Sequence, residues 1–233
     1  MKVKKHLIVN KNQASTLPGV RPLGTLFVFL FVSSFPAQAV PWKQTTTPRT
    51  FADWCLNKNK ESVETLHTVD ALLQEAKTQD CNQADKLLST RIKLSLNDNQ
   101  IADLKPLSTL TNLTILSLGS NQITDIKPLS SLTNLTGLWL FNNQIADLLP
   151  LSSLTNLTIL DLNNNQIANL LPLSSLTNLT GLYLENNQIA DLKPLSSLNN
   201  LIELWLHNNQ RLTDKTCPVK SESICRFVPL QGD

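Results

Sequence analysis

Histidine and the common catalytic motifs are scarce in this sequence. After residue 39 it retains only His67 and His207, and the sequence places no nucleophile with either of them. It has no Gly-x-Ser-x-Gly elbow, no phosphate-binding loop and no zinc-ligand spacing, the motifs that place reactive groups for their chemistry. The sequence therefore predicts a protein that is not an enzyme and that has neither a cofactor nor a metal site.

The chain also lacks an excess of positive charge once its first 39 residues are set aside. Those residues hold five of the 20 basic residues and no acidic residue. The rest of the chain carries 15 basic and 18 acidic side chains, a net charge of −3. Because nucleic-acid binding requires a basic face, we expect no nucleic-acid partner.

Only one long apolar run occurs, and it lies near the N-terminus. Residues 26–32 read LFVFLFV, after a basic start and before Ala37-Gln38-Ala39, whose small residues suit a signal peptidase. The run is shorter than the roughly 20 residues of a membrane-spanning helix. We predict a signal peptide over residues 1–39, with an uncleaved anchor as the alternative, and a linker over 40–50. The mature chain is expected to be exported to the periplasm or the extracellular space, soluble and without a membrane span.

Cysteine is limited to four residues, and all of them lie after the predicted signal peptide. They are Cys55, Cys81, Cys217 and Cys225. An even number of cysteines in an exported protein predicts disulfide bonds. Four cysteines allow three pairings, and the choice among these depends on the fold.

The middle of the chain repeats itself every 22 residues over residues 91–212. One unit reads LTILSLGSNQITDIKPLSSLTN, and an asparagine recurs in register in six copies, at Asn99, Asn121, Asn143, Asn165, Asn187 and Asn209. A short fixed period predicts a stacked solenoid. Leu116 and Leu118 alternate as on one face of a short strand, and neighbouring units are needed to bury them. The asparagines are expected to form an internal ladder on the backbone where each strand turns.

The repeat motif, L-x-x-L-x-L-x-x-N-Q-I-x-D-L-x-P-L-x-x-L-x-N, resembles the leucine-rich repeats of the 22-residue, internalin-like bacterial class. The resemblance covers about half of the chain. It implies an α/β fold: a curved leucine-rich-repeat solenoid with a parallel sheet on its concave face and 3-10 or extended segments on its convex side. It also implies that partner proteins dock on the concave face.

The two ends of such a solenoid need caps, because the terminal coils would otherwise expose their cores. The apolar spacing predicts a helical N-terminal cap over residues 51–90, and residues 213–233 form the C-terminal cap. Strands about 4.8 Å apart hold the two caps roughly 24 Å apart, whereas bonded cysteines need Cα atoms within about 7 Å. The pairs are therefore predicted to be Cys55–Cys81 and Cys217–Cys225.

One line of residues on the predicted concave face is unusual. Between the strand leucines the six repeats carry Ser95, Ser117, Trp139, Asp161, Tyr183 and Trp205, and two residues later stand Phe141, Glu185 and His207 in three of them. Large aromatic side chains are typical anchors of protein interfaces, so we predict a partner-binding surface formed by Trp139, Phe141, Asp161, Tyr183, Glu185, Trp205 and His207. Alternatively, rings cover sheet glycines, Gly137 and Gly181; this explains neither Trp205 nor Phe141.

An aspartate column offers a second candidate site. It consists of Asp103, Asp125, Asp147 and Asp191. Carboxylates at this spacing could hold a cation, but at a turn they more often accept hydrogen bonds from backbone amides. We therefore predict no metal there.

The sequence thus predicts an exported binding module that recognises a protein through its concave aromatic residues, with a glycan as the less favoured ligand. The alternative is a structural or stress-related envelope protein whose aromatic residues form a homodimer interface.

Overall fold

The computed structural model describes residues 49–219 and 222–228. The predicted signal peptide and nearly all of the 40–50 linker lie outside these residues, so both stay predictions. No helix in the described ranges is long and apolar enough to cross a membrane.

Three helices form the N-terminal cap: α1 (Phe51–Leu56), α2 (Val63–Ala76) and α3 (Cys81–Ser89). Each begins at a polar residue whose side chain accepts a hydrogen bond from the first turn, namely Thr50, Ser62 and Asp80. The cap buries Phe51, Leu72, Ala84 and Leu88 completely. The predicted Cys55–Cys81 disulfide is present and joins α1 to α3 with Cα atoms 5.6 Å apart.

Seven short parallel strands form one sheet in chain order. They are β1 (Lys93–Ser95), β2 (Ile115–Ser117), β3 (Gly137–Trp139), β4 (Ile159–Asp161), β5 (Gly181–Tyr183), β6 (Glu203–Trp205) and β7 (Cys225–Arg226). From β1 to β6, adjacent strands pair with identical repeat positions opposite one another, as Leu116 pairs with Leu138. The 22-residue period therefore fixes the register, and every concave-face column is a straight row across the sheet.

The side opposite the sheet is formed by five 3-10 segments, and each begins one residue before the repeat proline. They span Lys105–Leu107, Lys127–Ser131, Leu149–Ser153, Leu171–Ser175 and Lys193–Ser197. Between sheet and 3-10 segments the repeat leucines and isoleucines form one continuous core, and Leu138, Leu160 and Leu182 have no exposed surface. The predicted leucine-rich-repeat solenoid is confirmed.

Five of the six asparagines in the column form the predicted ladder; the prediction is wrong for Asn99, which is half-buried and whose Nδ2 donates to the carbonyl of Asn97 in its own turn. In Asn165, Nδ2 donates to the carbonyls of Leu140 in the preceding repeat (2.9 Å) and Leu162 in its own (3.1 Å). Its Oδ1 accepts from the backbone N–H of Ile145, 2.9 Å away. Asn121, Asn143, Asn187 and Asn209 are buried in the same way. Each amide therefore satisfies backbone groups of two successive coils.

The C-terminal cap adds β7, which the sequence did not predict. The Cys217–Cys225 disulfide, with Cα atoms 5.8 Å apart, closes the loop that leads to this strand, and the backbone N–H of Leu206 donates to the carbonyl of Arg226. This strand covers the edge of β6 that would otherwise end the sheet.

Candidate functional site

The sheet brings the predicted aromatic residues into one row on the concave face. Trp139, Asp161, Tyr183 and Trp205 occupy the same position of β3 to β6, and each pairs with the next in register. All four side chains are half-buried. We call these four residues, together with Phe141, the aromatic stripe.

Two rings of the stripe lie on glycines. A Cβ atom added to Gly137 would be 2.7 Å from Cζ3 of Trp139, and one added to Gly119 would be 2.2 Å from Cζ of Phe141. The expectation that glycine covering cannot account for Phe141 is therefore wrong: Phe141 covers Gly119 of the preceding repeat. Glycine covering still leaves Trp205 unexplained, since no glycine lies beneath it in the sheet register.

Replacing Gly137 by alanine should displace the Trp139 ring, because the new methyl group would occupy the space of its outer atoms. Near-ultraviolet circular dichroism and the indole N–H resonance of Trp139 should both change. Gly181→Ala is the matched control: its Cβ would lie 3.4 Å from Tyr183, an ordinary contact, and should leave the spectra unchanged. Equal spectra for wild type and both variants would contradict the position of the Trp139 ring on Gly137.

The C-terminal half of the stripe is a ring pair. The centroids of Tyr183 and Trp205 are 6.1 Å apart and their planes are tilted by 40°, a favourable aromatic geometry. The Tyr183 hydroxyl donates to Glu203, one strand further along. Burial, this hydrogen bond and the charges of Glu203 and Asp161 raise the pKa of Tyr183 to about 12, so the hydroxyl stays a protonated donor at neutral pH.

Glu203 was missed as a site residue. The register places Glu203 opposite Gly181, two residues before Tyr183. The signal in the sequence was the column two residues before the stripe, in which Gly181 on β5 is followed by Glu203 on β6.

Asp161 is the carboxylate within the stripe. One of its oxygens, Oδ1, accepts from the backbone N–H of Asn163 at 3.0 Å. Burial raises the pKa of Asp161 above its usual value, and the hydrogen bond from Asn163 opposes this effect only in part. The folded protein therefore holds an ionised carboxylate that is less well solvated than in the unfolded chain.

This shift predicts that Asp161→Asn stabilises the protein at neutral pH. A raised folded-state pKa means that stability falls as pH rises through the window from the usual value of 3.8 to the folded value. The gain from Asn should therefore disappear below pH 3.8, where Asp161 is protonated in both states. Guanidinium denaturation of wild type and Asp161→Asn, at neutral pH and below pH 3.8, measures the difference in their free energies of unfolding.

Asp147→Asn is the matched control. Asp147 is exposed and accepts from the backbone N–H of Leu149, as Asn169 does from Leu171 in the next repeat. Its replacement should change stability little at either pH. A gain for Asp161→Asn that persists in acid would contradict the burial argument.

Glu185 and His207 form a second polar pair beside the stripe. His207 Nδ1 lies 2.6 Å from Glu185 Oε1, and the two side chains are only 15% and 13% exposed. The other oxygen of Glu185 accepts from Asn163 Nδ2 at 2.8 Å. This network fixes both side chains against the sheet next to Tyr183 and Trp205, so all seven predicted residues share one face.

The aspartate column lies apart from this face and binds backbone. Asp103, Asp125, Asp147 and Asp191 each accept from the N–H two residues later, which confirms the turn interpretation. In the described part of the chain, no group of three or more histidine, cysteine, aspartate or glutamate residues could hold a metal ion.

Comparison with known sequences identifies the repeats. The profile of Leucine Rich repeats (2 copies) matches residues 92–131, 133–175 and 177–216, just over half of the chain. The chain belongs to the leucine-rich repeat family. No curated protein sequence matches it at a significant level.

The chain is similar to solved structures of internalins. Internalin C2 of Listeria monocytogenes is 38% identical over 62% of this chain and 56% of its own, with a TM-score of 0.51. The functional domain of InlJ from the same organism is 26% identical over 78% of this chain and 40% of its own, with a TM-score of 0.59. The chain therefore spans about half the length of these relatives.

These findings place the protein among the internalin-like bacterial leucine-rich repeat proteins. The fold is in general a non-enzymatic module for protein interaction. Two disulfide bonds are typical of proteins that fold in an oxidising compartment, and together with the internalin similarity they indicate export.

Proposed function

We propose that the protein binds another protein through the aromatic stripe, outside the cytoplasm. The observation that carries this proposal is the set of half-exposed rings that β3, β5 and β6 carry at one strand position, with Asp161 at the same position of β4. Partly exposed tryptophan and tyrosine side chains that lie together are typical anchors of protein interfaces. A cluster of this kind on one face of a soluble fold usually marks an interaction site.

The rings are also held in place before any partner arrives. Trp139 and Phe141 lie on glycines, and Tyr183 is fixed by its hydrogen bond to Glu203 and its contact with Trp205. Rigid side chains lose little conformational entropy on binding, which favours affinity. Covering a glycine and binding a partner are therefore compatible roles for the same ring.

A photo-crosslinking amino acid tests this proposal. Ser117 lies next to Trp139 in the register, whereas Leu149 is exposed in a 3-10 segment on the opposite side. With an extract of secreted and envelope proteins, we expect a covalent product with a second protein from position 117 and not from position 149. Equal products from both positions, or none from either, would contradict the proposal.

The same experiment separates the homodimer alternative. If the stripe joins two copies of this chain, the purified protein alone should give a crosslinked dimer from position 117. A product that forms only with extract supports a different protein partner, for which the periplasm or the extracellular space is the proposed location.

A further inference from the structure

Asp161 lies between two rings of the stripe. It pairs in register with Trp139 on one side and with Tyr183 on the other, and adjacent strands are about 4.8 Å apart. A group placed above Asp161 would therefore meet a carboxylate, and the strand positions on its two sides carry the aromatic residues Trp139 and Tyr183. Carboxylates and aromatic faces both attract cations.

The neighbouring carboxylates on this face already have partners within the sheet. Glu185 contacts His207 and Asn163, and Glu203 accepts from Tyr183. Among residues 49–219 and 222–228, no lysine or arginine forms an ion pair with Asp161. The nearest basic residues in the sheet itself are Lys93 on β1 and Arg226 on β7, three strands from β4 on either side.

We propose that the stripe recognises a basic side chain of the protein partner, which lies on Asp161 between Trp139 and Tyr183. This inference rests on the proposed function and names the chemistry of its central contact. Arginine is the favoured residue, because its planar guanidinium can stack on a ring while it donates to a carboxylate. Charge complementarity favours a partner segment with a basic side chain over a neutral sugar, since no lysine or arginine among the described residues forms an ion pair with Asp161.

Energetics support the same assignment. The half-buried carboxylate of Asp161 is under-solvated in the free protein, as its raised pKa indicates. A cation supplied by the partner would restore the lost interaction. Residues at binding sites commonly lower the stability of the free protein. Asp161 fits this pattern, since its carboxylate would be stabilised only in the complex.

A displayed library of random short peptides tests the inference without knowledge of the natural partner. Four purified proteins serve as baits: wild type, Asp161→Asn, Asp147→Asn and Trp139→Ala/Trp205→Ala. Peptides selected on wild type and on Asp147→Asn should carry arginine or lysine at one recurring position. Their affinity for Asp161→Asn should be weaker by roughly tenfold, the order expected when a partly buried charge pair loses one member.

The outcomes separate this inference from the proposed function. Peptides that need the two tryptophans but show no basic preference, or that bind Asp161→Asn as tightly as wild type, would overturn the cation contact and leave the stripe as a binding site. If no selected peptide depends on the tryptophans, both proposals fail. Since Asp147→Asn removes the same charge from an exposed turn, its wild-type behaviour excludes an effect of net charge alone.

Discussion

Asn165→Ala is expected to lower the free energy of unfolding by about 3–5 kcal/mol, because several buried backbone groups lose their partner at once and each costs about 1–3 kcal/mol. The backbone N–H of Ile145 and the carbonyls of Leu140 and Leu162 all bond to this amide. These groups belong to two successive coils, so the loss weakens the stacking of one repeat on the next. Guanidinium denaturation followed by circular dichroism measures the change.

Asn156→Ala is the matched control. Asn156 is exposed and its amide makes one hydrogen bond, to the carbonyl of Thr133, which water can replace. Its loss should cost no more than about 1 kcal/mol. A similar cost for the two variants would show that the ladder does not hold the coils together.

Removal of the Cys55–Cys81 disulfide, as Cys55→Ser/Cys81→Ser, should lower stability by about 3–4 kcal/mol, because the freed loop gains entropy in the unfolded chain. The cysteines are 26 residues apart, and they tie α1 to α3 across the cap. Since this cap covers the first coil of the solenoid, we also expect early loss of helical signal in a denaturation experiment.

The second disulfide provides the comparison. Cys217 and Cys225 are 8 residues apart, and for a loop of that length the same entropy relation gives about 2–3 kcal/mol. Cys217→Ser/Cys225→Ser should therefore be the milder change. A reversed order of the two effects would show that loop entropy does not govern them.

The repeat period made most of the fold predictable. A fixed spacing of 22 residues determines which positions face the core, which form the ladder and which share a concave column, so the row from Trp139 to Trp205 could be written down from the sequence. The disulfide pairs followed from the distance between the caps. β7 could not be predicted in this way, because Cys225 and Arg226 lie beyond the last repeat and two residues carry no periodic pattern.

Contacts between columns were harder to predict than the columns themselves. Phe141 covers Gly119 of the neighbouring repeat, whereas the sequence interpretation considered only a glycine two residues earlier in the same strand. The hydrogen bond from the Tyr183 hydroxyl to Glu203 also joins residues of two different strands and two different columns. Which neighbour a long side chain leans toward depends on the space that the glycines leave, and this required the structure.

The most direct test uses the partner protein that crosslinking identifies, in purified and uncrosslinked form. Calorimetric titration measures its affinity for wild type and for Trp139→Ala/Tyr183→Ala/Trp205→Ala. We expect a loss of at least about 100-fold. One anchor ring of this kind is worth about 2 kcal/mol or more, 1.4 kcal/mol is about tenfold, and the contributions of neighbouring rings do not add in full. Leu149→Lys/Leu171→Lys, which removes two exposed leucines from the opposite side, should bind like wild type. Unchanged affinity of a ring variant that circular dichroism shows to be folded would contradict the central claim.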